Sequence, residues 1–322
     1  MRRRKFITLL GGAVFAWPST GSAQTSLPLI GILLLGPAAE PRDFGFVREL
    51  IRIGYVDGRN IKFTVRAADG AINRLPQLAR EIVATSPNII VGSGSPVAQA
   101  LGAATRNIPI VMSVMGDPIA LGLSNSMSRP DRNVTGFPNS SPSLAAKRLE
   151  LLRELVPAGK IGYLWDPESP MTKARGDQAR MAAKTLGIEL VPLPLMSGGD
   201  ISDAFALAEK EQVTALLVES DSLMLRISAN IIDECLLRAL PAMHAWPFEV
   251  PSGALIAYGP ATAENDQQTA SYIDRILRGA NVADLPFQEP TRIKLSINLN
   301  TARSIGITVP PMLLARADEV IE

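Results

Sequence analysis

The sequence predicts an α/β protein of two lobes, each built on a parallel β-sheet. Three observations carry this. Short apolar runs alternate with amphipathic stretches from Leu29 onward, and the same alternation restarts after a polar break, "GFPNSSPS" (Gly136 to Ser143). A mature chain of about 300 residues with 47% hydrophobic composition is also long enough to fill two cores.

The elements follow in order. "LIGILLL" (Leu29 to Leu35) is an unbroken apolar run of strand length and reads as a strand buried on both faces. Phe44, Val47, Leu50 and Ile51 then recur at helical spacing. "NIKFTV" precedes a helix carrying Leu75, Leu78, Ala79 and Ile82; "NIIVG" precedes one that starts near Pro96; "IPIVMSV" follows. Asn133-Val134-Thr135 is a glycosylation sequon by letter and marks a strand. Beyond the break, Leu149, Leu152 and Leu155 define a helix, then come "IGYLW", a helix through Met181 and Leu186, "IELVPL", a helix from Asp203, "ALLV", a helix around Ile231, and "PAMHAW". Ala263 to Arg278 forms one more amphipathic helix and "TRIKLSINL" alternates like a strand. Strands separated by helices imply parallel pairing with right-handed crossovers.

The amino terminus reads differently. Arg2, Arg3, Arg4 and Lys5 form a basic head, Phe6 to Trp17 an apolar stretch, and Gly21-Ser22-Ala23 a small-residue exit. These are the parts of a removable export signal, too short to span a bilayer as a helix. Arg3-Arg4-Lys5-Phe6-Ile7 resembles a twin-arginine signal, with ordinary secretion as the alternative. Residues 1–23 are therefore expected to be absent from a mature periplasmic protein that has no lipid anchor and no membrane insertion. Cleavage after Ala23 removes four positive charges and no acid, which takes the formal charge from +1 to about −3. No basic field for nucleic acid remains.

Composition narrows the chemistry. The single cysteine, Cys235, cannot form an internal disulfide, and its helical spacing with Ile231, Ile232 and Leu236 reads as a small buried apolar group. With one histidine, His244, no Cys/His metal site is expected, and ten scattered methionines give no copper site. No cofactor is expected either. A Ser-His-Asp arrangement would have to use His244, and no Gly-x-Ser-x-Gly elbow occurs, so the sequence does not read as an enzyme.

In open parallel sheets, ligands collect where strands end and helices begin. "GSGSP" (Gly92 to Pro96) brings hydroxyls, glycines and a helix start together, which suits an anion, although a capped helix with a tight turn has the same letters. It lacks the Gly-Lys-Ser/Thr ending of a phosphate loop. Asp117 in "MGDP" could meet an ammonium or hydroxyl group, or serve only as a turn former. Trp165 and Asp166 in "WDPESP", and Ser220 and Asp221 in "ESDS", occupy corresponding strand ends in the second array. Trp246 and Phe248 follow a strand in "HAWPFE" and suit either lobe packing or a ligand platform.

"GYVDGRNI" (Gly54 to Ile61), "IPIV" with "GDP" (Ile108 to Pro118), "RPDRNVTGF" (Arg129 to Phe137), "KRLELLRELVP" (Lys147 to Pro157) and "LSINLNTARSIGITVPPMLLARADEVIE" (Leu295 to Glu322) together resemble the ABC transporter substrate-binding protein family, whose relatives include tryptophan-binding members. The resemblance runs through the whole mature chain. It implies a type I periplasmic-binding-protein fold, with two Rossmann-like lobes on parallel sheets joined by a three-strand hinge. It also implies a ligand in the cleft and an ABC permease in the inner membrane as partner. The lobes would comprise residues 24–140 plus about 260–288, and 141–259 plus about 289–322. Polar loops of the family fall at Gly92 to Ser95, Asp117, Asp166 and Ser220 to Asp221. The chain departs from the family at "GPAAEP" (Gly36 to Pro41) and "SLMLR" (Ser222 to Arg226), where ligand contacts are expected.

The expected ligand set is thus Gly36, Ser93, Gly94, Ser95, Asp117, Trp165, Asp166, Ser220, Asp221 and Trp246. The expected ligand is a small amino acid or organic acid with an apolar body, its carboxylate held at Ser93 and Ser95 without a buried cation. A sugar receptor and a sensing module feeding a membrane signalling receptor are the alternatives.

Overall fold

A computed structural model describes residues 27–139, 143–196, 201–219 and 221–322. The export-signal segment, Ser220 and most of the polar run between Asn139 and Ser143 lie outside these.

The first sheet grows from β1 (Leu29–Leu34). It is followed by α1 (Gly45–Arg52), β2 (Lys62–Ala67), α2 (Leu75–Ala84), β3 (Ile89–Ser93), α3 (Ser95–Ala104), β4 (Ile110–Met115) and β5 (Val134–Pro138). The strand order is β2-β1-β3-β4-β5, with every pair parallel. β1 is an interior strand and is buried on both faces: Ile30 and Ile32 join one core with Phe46, Val47 and Leu50 of α1, and Leu33 joins the other with Leu75 and Ile82 of α2. Ile51, which shares the α1 spacing, is 52% exposed and stands outside this core.

The polar break is shorter than its letters suggest. Gly136, Phe137 and Pro138 belong to β5. Gly136 sits at φ +146°, and a methyl group there would lie 2.2 Å from the Met112 carbonyl, so only glycine lets β5 pair with β4.

The second lobe runs α4 (Ser143–Leu155), β6 (Lys160–Trp165), α5 (Pro170–Thr185), β7 (Leu190–Pro194), α6 (Ile201–Lys210), β8 (Val213–Val218), α7 (Ser222–Arg226), α8 (Ser228–Leu237), β9 (Ala242–His244) and β10 (Ile256–Pro260). α5 ends before Leu186, and Met181 is 70% exposed; the helix buries Ala179 and Ala183 instead. Small residues let α5 approach Tyr163 of β6 closely, and Gly176 sits opposite that ring.

From β10 the chain enters α9 (Thr262–Leu277), which packs on α1 and β4 of the first lobe. It returns to the second sheet as β11 (Ile293–Asn298), α10 (Leu299–Ser304), α11 (Pro311–Leu314) and β12 (Glu319–Ile321). The order is β12-β11-β10-β9-β8-β6-β7. β11 pairs antiparallel with β10, a departure from the all-parallel expectation. The excursion through α9 explains it: the chain leaves β10 at the end facing the first lobe and re-enters there, so β11 must run back. Three passages therefore join two α/β lobes, between β5 and α4, between β10 and α9, and between α9 and β11.

Candidate functional site

A cavity of about 500 Å³ lies where the carboxyl ends of both sheets meet. Its wall takes Ser93, Gly94, Ser95, Pro96, Gln99 and Gly116 from the first lobe, and Asp166, Arg175, Asp221 and Trp246 from the second. The position follows from topology, because strand ends and helix starts converge there.

On the first-lobe side, Gly94 precedes α3 with φ +92°, a conformation that turns the chain from β3 into the helix without steric cost. Gly94 N donates to Val114 O at 2.8 Å, and Ser95 Oγ accepts from Gly116 N at 3.0 Å. The two loops are thereby tied to each other. A hydroxyl that accepts an N–H still has its own proton to donate. Ser95, the exposed Ser93 side chain and the start of α3 thus form a neutral donor set, where an anion gains roughly 0.3 to 2 kcal/mol.

The second-lobe side is charged. Asp166 is 9% exposed and accepts from Glu168 N at 2.9 Å. Asp221 caps α7 by accepting from Leu223 N at 2.7 Å. Burial raises the Asp221 pKa; bonds from Leu223 N and Ser169 oppose this, and the neighbouring Asp166 and Glu219 add to it. Glu219 is buried, accepts a hydrogen bond from the Tyr163 hydroxyl at 2.6 Å, and lies 3.5 Å from Arg175 Nη1. Burial, together with the Glu219 charge, pushes the Tyr163 hydroxyl pKa far up, so Tyr163 remains a donor. Arg175 Nη2 also donates to Asn139 O at 2.7 Å, across to the end of the β5 passage.

Leu35, Ile72, Leu121, Leu223 and Leu225 form an aliphatic wall, and Trp246 stacks on the half-exposed Phe248 at 6.0 Å and 27°. Carboxylates and a guanidinium on one side, neutral donors on the other and an apolar wall between them suit a small amphipathic ligand with both charges.

Of the residues expected from sequence, Ser93, Gly94, Ser95, Asp166, Asp221 and Trp246 share this cavity. Gly36, Asp117 and Trp165 are not on its wall. Gly36 O accepts from Asp69 N at 3.1 Å, and a turn rather than the cleft uses it. Asp117 Oδ1 accepts from Ile119 N at 2.8 Å, the turn-forming role that its Asp-Pro context allows. Trp165 stacks beside Tyr163 at 6.1 Å and packs against the second-lobe core.

Arg175 was not singled out by its sequence context. It is one of several basic residues on α5, and only the tertiary fold shows that it reaches the cavity wall, 3.5 Å from Glu219. Asn139 and Gln99 were likewise unmarked.

Residues 30–321 match the family model described as ABC transporter substrate binding protein. A tyrosine-binding protein of Clostridioides difficile is 27% identical over 281 residues, 86% of this chain and 81% of that protein. An ABC domain from Streptococcus pneumonia, solved in complex with L-Trp, superposes with TM-score 0.82 at 25% identity, covering 92% of this chain and 100% of that one. A conserved domain protein from Vibrio cholerae gives TM-score 0.83 at 28% identity, with coverage of 92% and 100%.

Proposed function

Because the chain belongs to the ABC transporter substrate-binding protein family, we propose that it is an exported receptor that binds an amino acid in the interlobe cavity and passes it to an ABC permease of the inner membrane. The observation that supports this most is the division of the cavity: neutral donors at Ser93 to Ser95, carboxylates at Asp166 and Asp221, and an apolar wall with Trp246 and Phe248. An α-amino acid presents the matching groups. Its carboxylate goes to the α3 start or to Arg175, its ammonium to Asp166 and Asp221, and its side chain to the wall. The tyrosine-binding relative and the L-Trp-bound neighbour favour an aromatic side chain.

Micromolar affinity corresponds to about 8 kcal/mol, more than one helix terminus supplies. Burial of the side chain has to provide much of the rest. The role is binding without turnover. The lobes that close on the ligand would be residues 24–140 plus about 260–288, and 141–259 plus about 289–322.

Calorimetry with L-tryptophan and its carboxamide tests the reading. Ser95→Ala is expected to weaken binding of the acid by about three- to tenfold through the lost hydrogen bond, and Trp246→Ala by about tenfold through lost aromatic contact. Equal affinity for acid and amide, or no effect of either substitution, would overturn it.

Export is proposed from the basic head, apolar stretch and small-residue exit before Gln24. Among the described residues no helix is long and apolar enough to cross a membrane. Mass spectrometry of the periplasmic fraction should find a first residue at or near Gln24, and an intact Met1 there would refute the proposal.

A further inference from the structure

The cleft aromatics stand on a short segment whose two ends meet. His244 closes β9 and Glu249 ends the 3-10 turn Pro247–Glu249, with Ala245, Trp246, Pro247 and Phe248 between them. His244 is 1% and Glu249 5% exposed, and His244 Nδ1 lies 3.4 Å from Glu249 Oε1. The Ser228 hydroxyl, at the start of α8, donates to the same carboxylate oxygen. Glu249 N donates to Trp246 O at 3.0 Å, which closes the segment into a loop.

A second buried charge holds the same loop from behind. Arg148 of α4 donates from Nε to Tyr258 O at 2.7 Å and from Nη2 to Ala245 O at 3.4 Å. Gly259 lets β10 come this close: a methyl group there would lie 1.9 Å from Ala245 O. Burial brings the Arg148 pKa down to about 10 while Glu219 and Glu249 act to raise it. Burial alone would raise the Glu249 pKa, but His244 and Ser228 outweigh it and hold the carboxyl below its ordinary value. The carboxylate is therefore ionised at neutral pH.

Well-packed apolar residues stabilise such a position as well as an ionic cluster does, so stability alone does not account for three ionisable groups around one six-residue loop. Fixed direction does. Glu249 Oε1 accepts from Ser228 and lies 3.4 Å from His244 Nδ1, and Glu249 N donates to Trp246 O, so this carboxylate fixes the loop that holds Trp246 and Phe248 on the cavity wall.

We propose that Glu249 and His244 are positioning residues for ligand binding: their contact, with Ser228, clamps the Ala245–Phe248 segment so that Trp246 and Phe248 face the cleft. The proposal rests on the receptor reading for its effect on affinity, but the clamp itself has a readout without ligand.

Trp165→Phe leaves Trp246 as the sole tryptophan from residue 24 onward. In that background, Glu249→Gln, His244→Asn and the double variant are compared by Trp246 emission, by acrylamide quenching, and by calorimetry with L-tyrosine. Each single variant is expected to red-shift the emission, raise quenching and weaken L-tyrosine binding about tenfold, the size of losing one contact to a charged group. The double variant should add little to either single one, since both break the same contact. Lower thermal midpoints with unchanged emission, quenching and affinity would overturn the clamp, and so would additive effects in the double variant. Failure of the Trp165→Phe protein to bind L-tyrosine or L-tryptophan would count against the receptor reading, while the emission arm would still decide the clamp.

Discussion

Asp221 combines two tasks on one carboxylate, and they pull its proton in opposite directions. As the cap of α7 it accepts from Leu223 N, which favours the ionised form. Burial opposes ionisation most strongly, with Asp166 and Glu219 adding like charge, and the net shift is upward from 3.8. A carboxyl whose pKa is higher in the folded than in the unfolded state contributes stability that is present below the unfolded value. That contribution is lost as pH rises through the folded value. An ammonium ligand reverses the preference, because it interacts with the ionised form. Binding should therefore release a proton, and affinity should rise with pH in the window below the raised value of the free protein, levelling off above it. Calorimetry in buffers of different ionisation enthalpy measures this directly. Asp221→Asn should flatten the profile and weaken binding by about tenfold, as expected for loss of a charged hydrogen bond. Affinity independent of pH in that window would mean that the ammonium lies elsewhere.

Elements differed in how legible they were, and the difference follows the range of the forces that fix them. β1 was readable because burial on both faces demands an unbroken apolar run; the reason for Gly31 within it is long-range, since a methyl group there would lie 2.9 Å from Ile82 of α2. The β3–α3 turn was readable because Gly94 and Pro96 are dictated by backbone conformation. By its letters the end of β5 belongs to the polar break, because Gly136 and Pro138 are turn formers, while the close approach of Met112 that requires Gly136 is long-range. The antiparallel β11 left no local trace either, since its direction is set by where the chain re-enters after α9. α5 shows the same limit at the site. Its letters place Met181 and Arg175 on no particular face, and contact with Tyr163 and Glu219 decides that Arg175 turns in and Met181 out. Strand ends thus indicated Ser93, Ser95, Asp166 and Asp221, whereas a cation supplied from mid-helix was invisible.

For the whole molecule, the cavity wall is shared between lobes that only three passages connect, so its completeness depends on their separation. In the described arrangement the two lobes approach each other beside the cavity. The side chain of Arg226, on α7 of the second lobe, lies against the β2–α2 turn of the first, with its Cδ 3.1 Å from where a methyl group on Gly70 would stand. Arg175 reaches Asn139 at the passage itself. A ligand held by Ser95 on one side and Asp221 on the other gains both sets of contacts only in this state, and each tenfold preference for it corresponds to about 1.4 kcal/mol. Opening without ligand would hydrate the charged second-lobe face at the expense of the Arg226 contact. Small-angle scattering of the ligand-free protein should give a larger radius than the described arrangement does, and saturating L-tryptophan should reduce it. An unchanged radius at saturation would show that the lobes bind as a rigid pair. In that case Asp221 and Ser95 face each other before the ligand arrives, and entry has to pass the Arg226–Gly70 contact by local motion of α7.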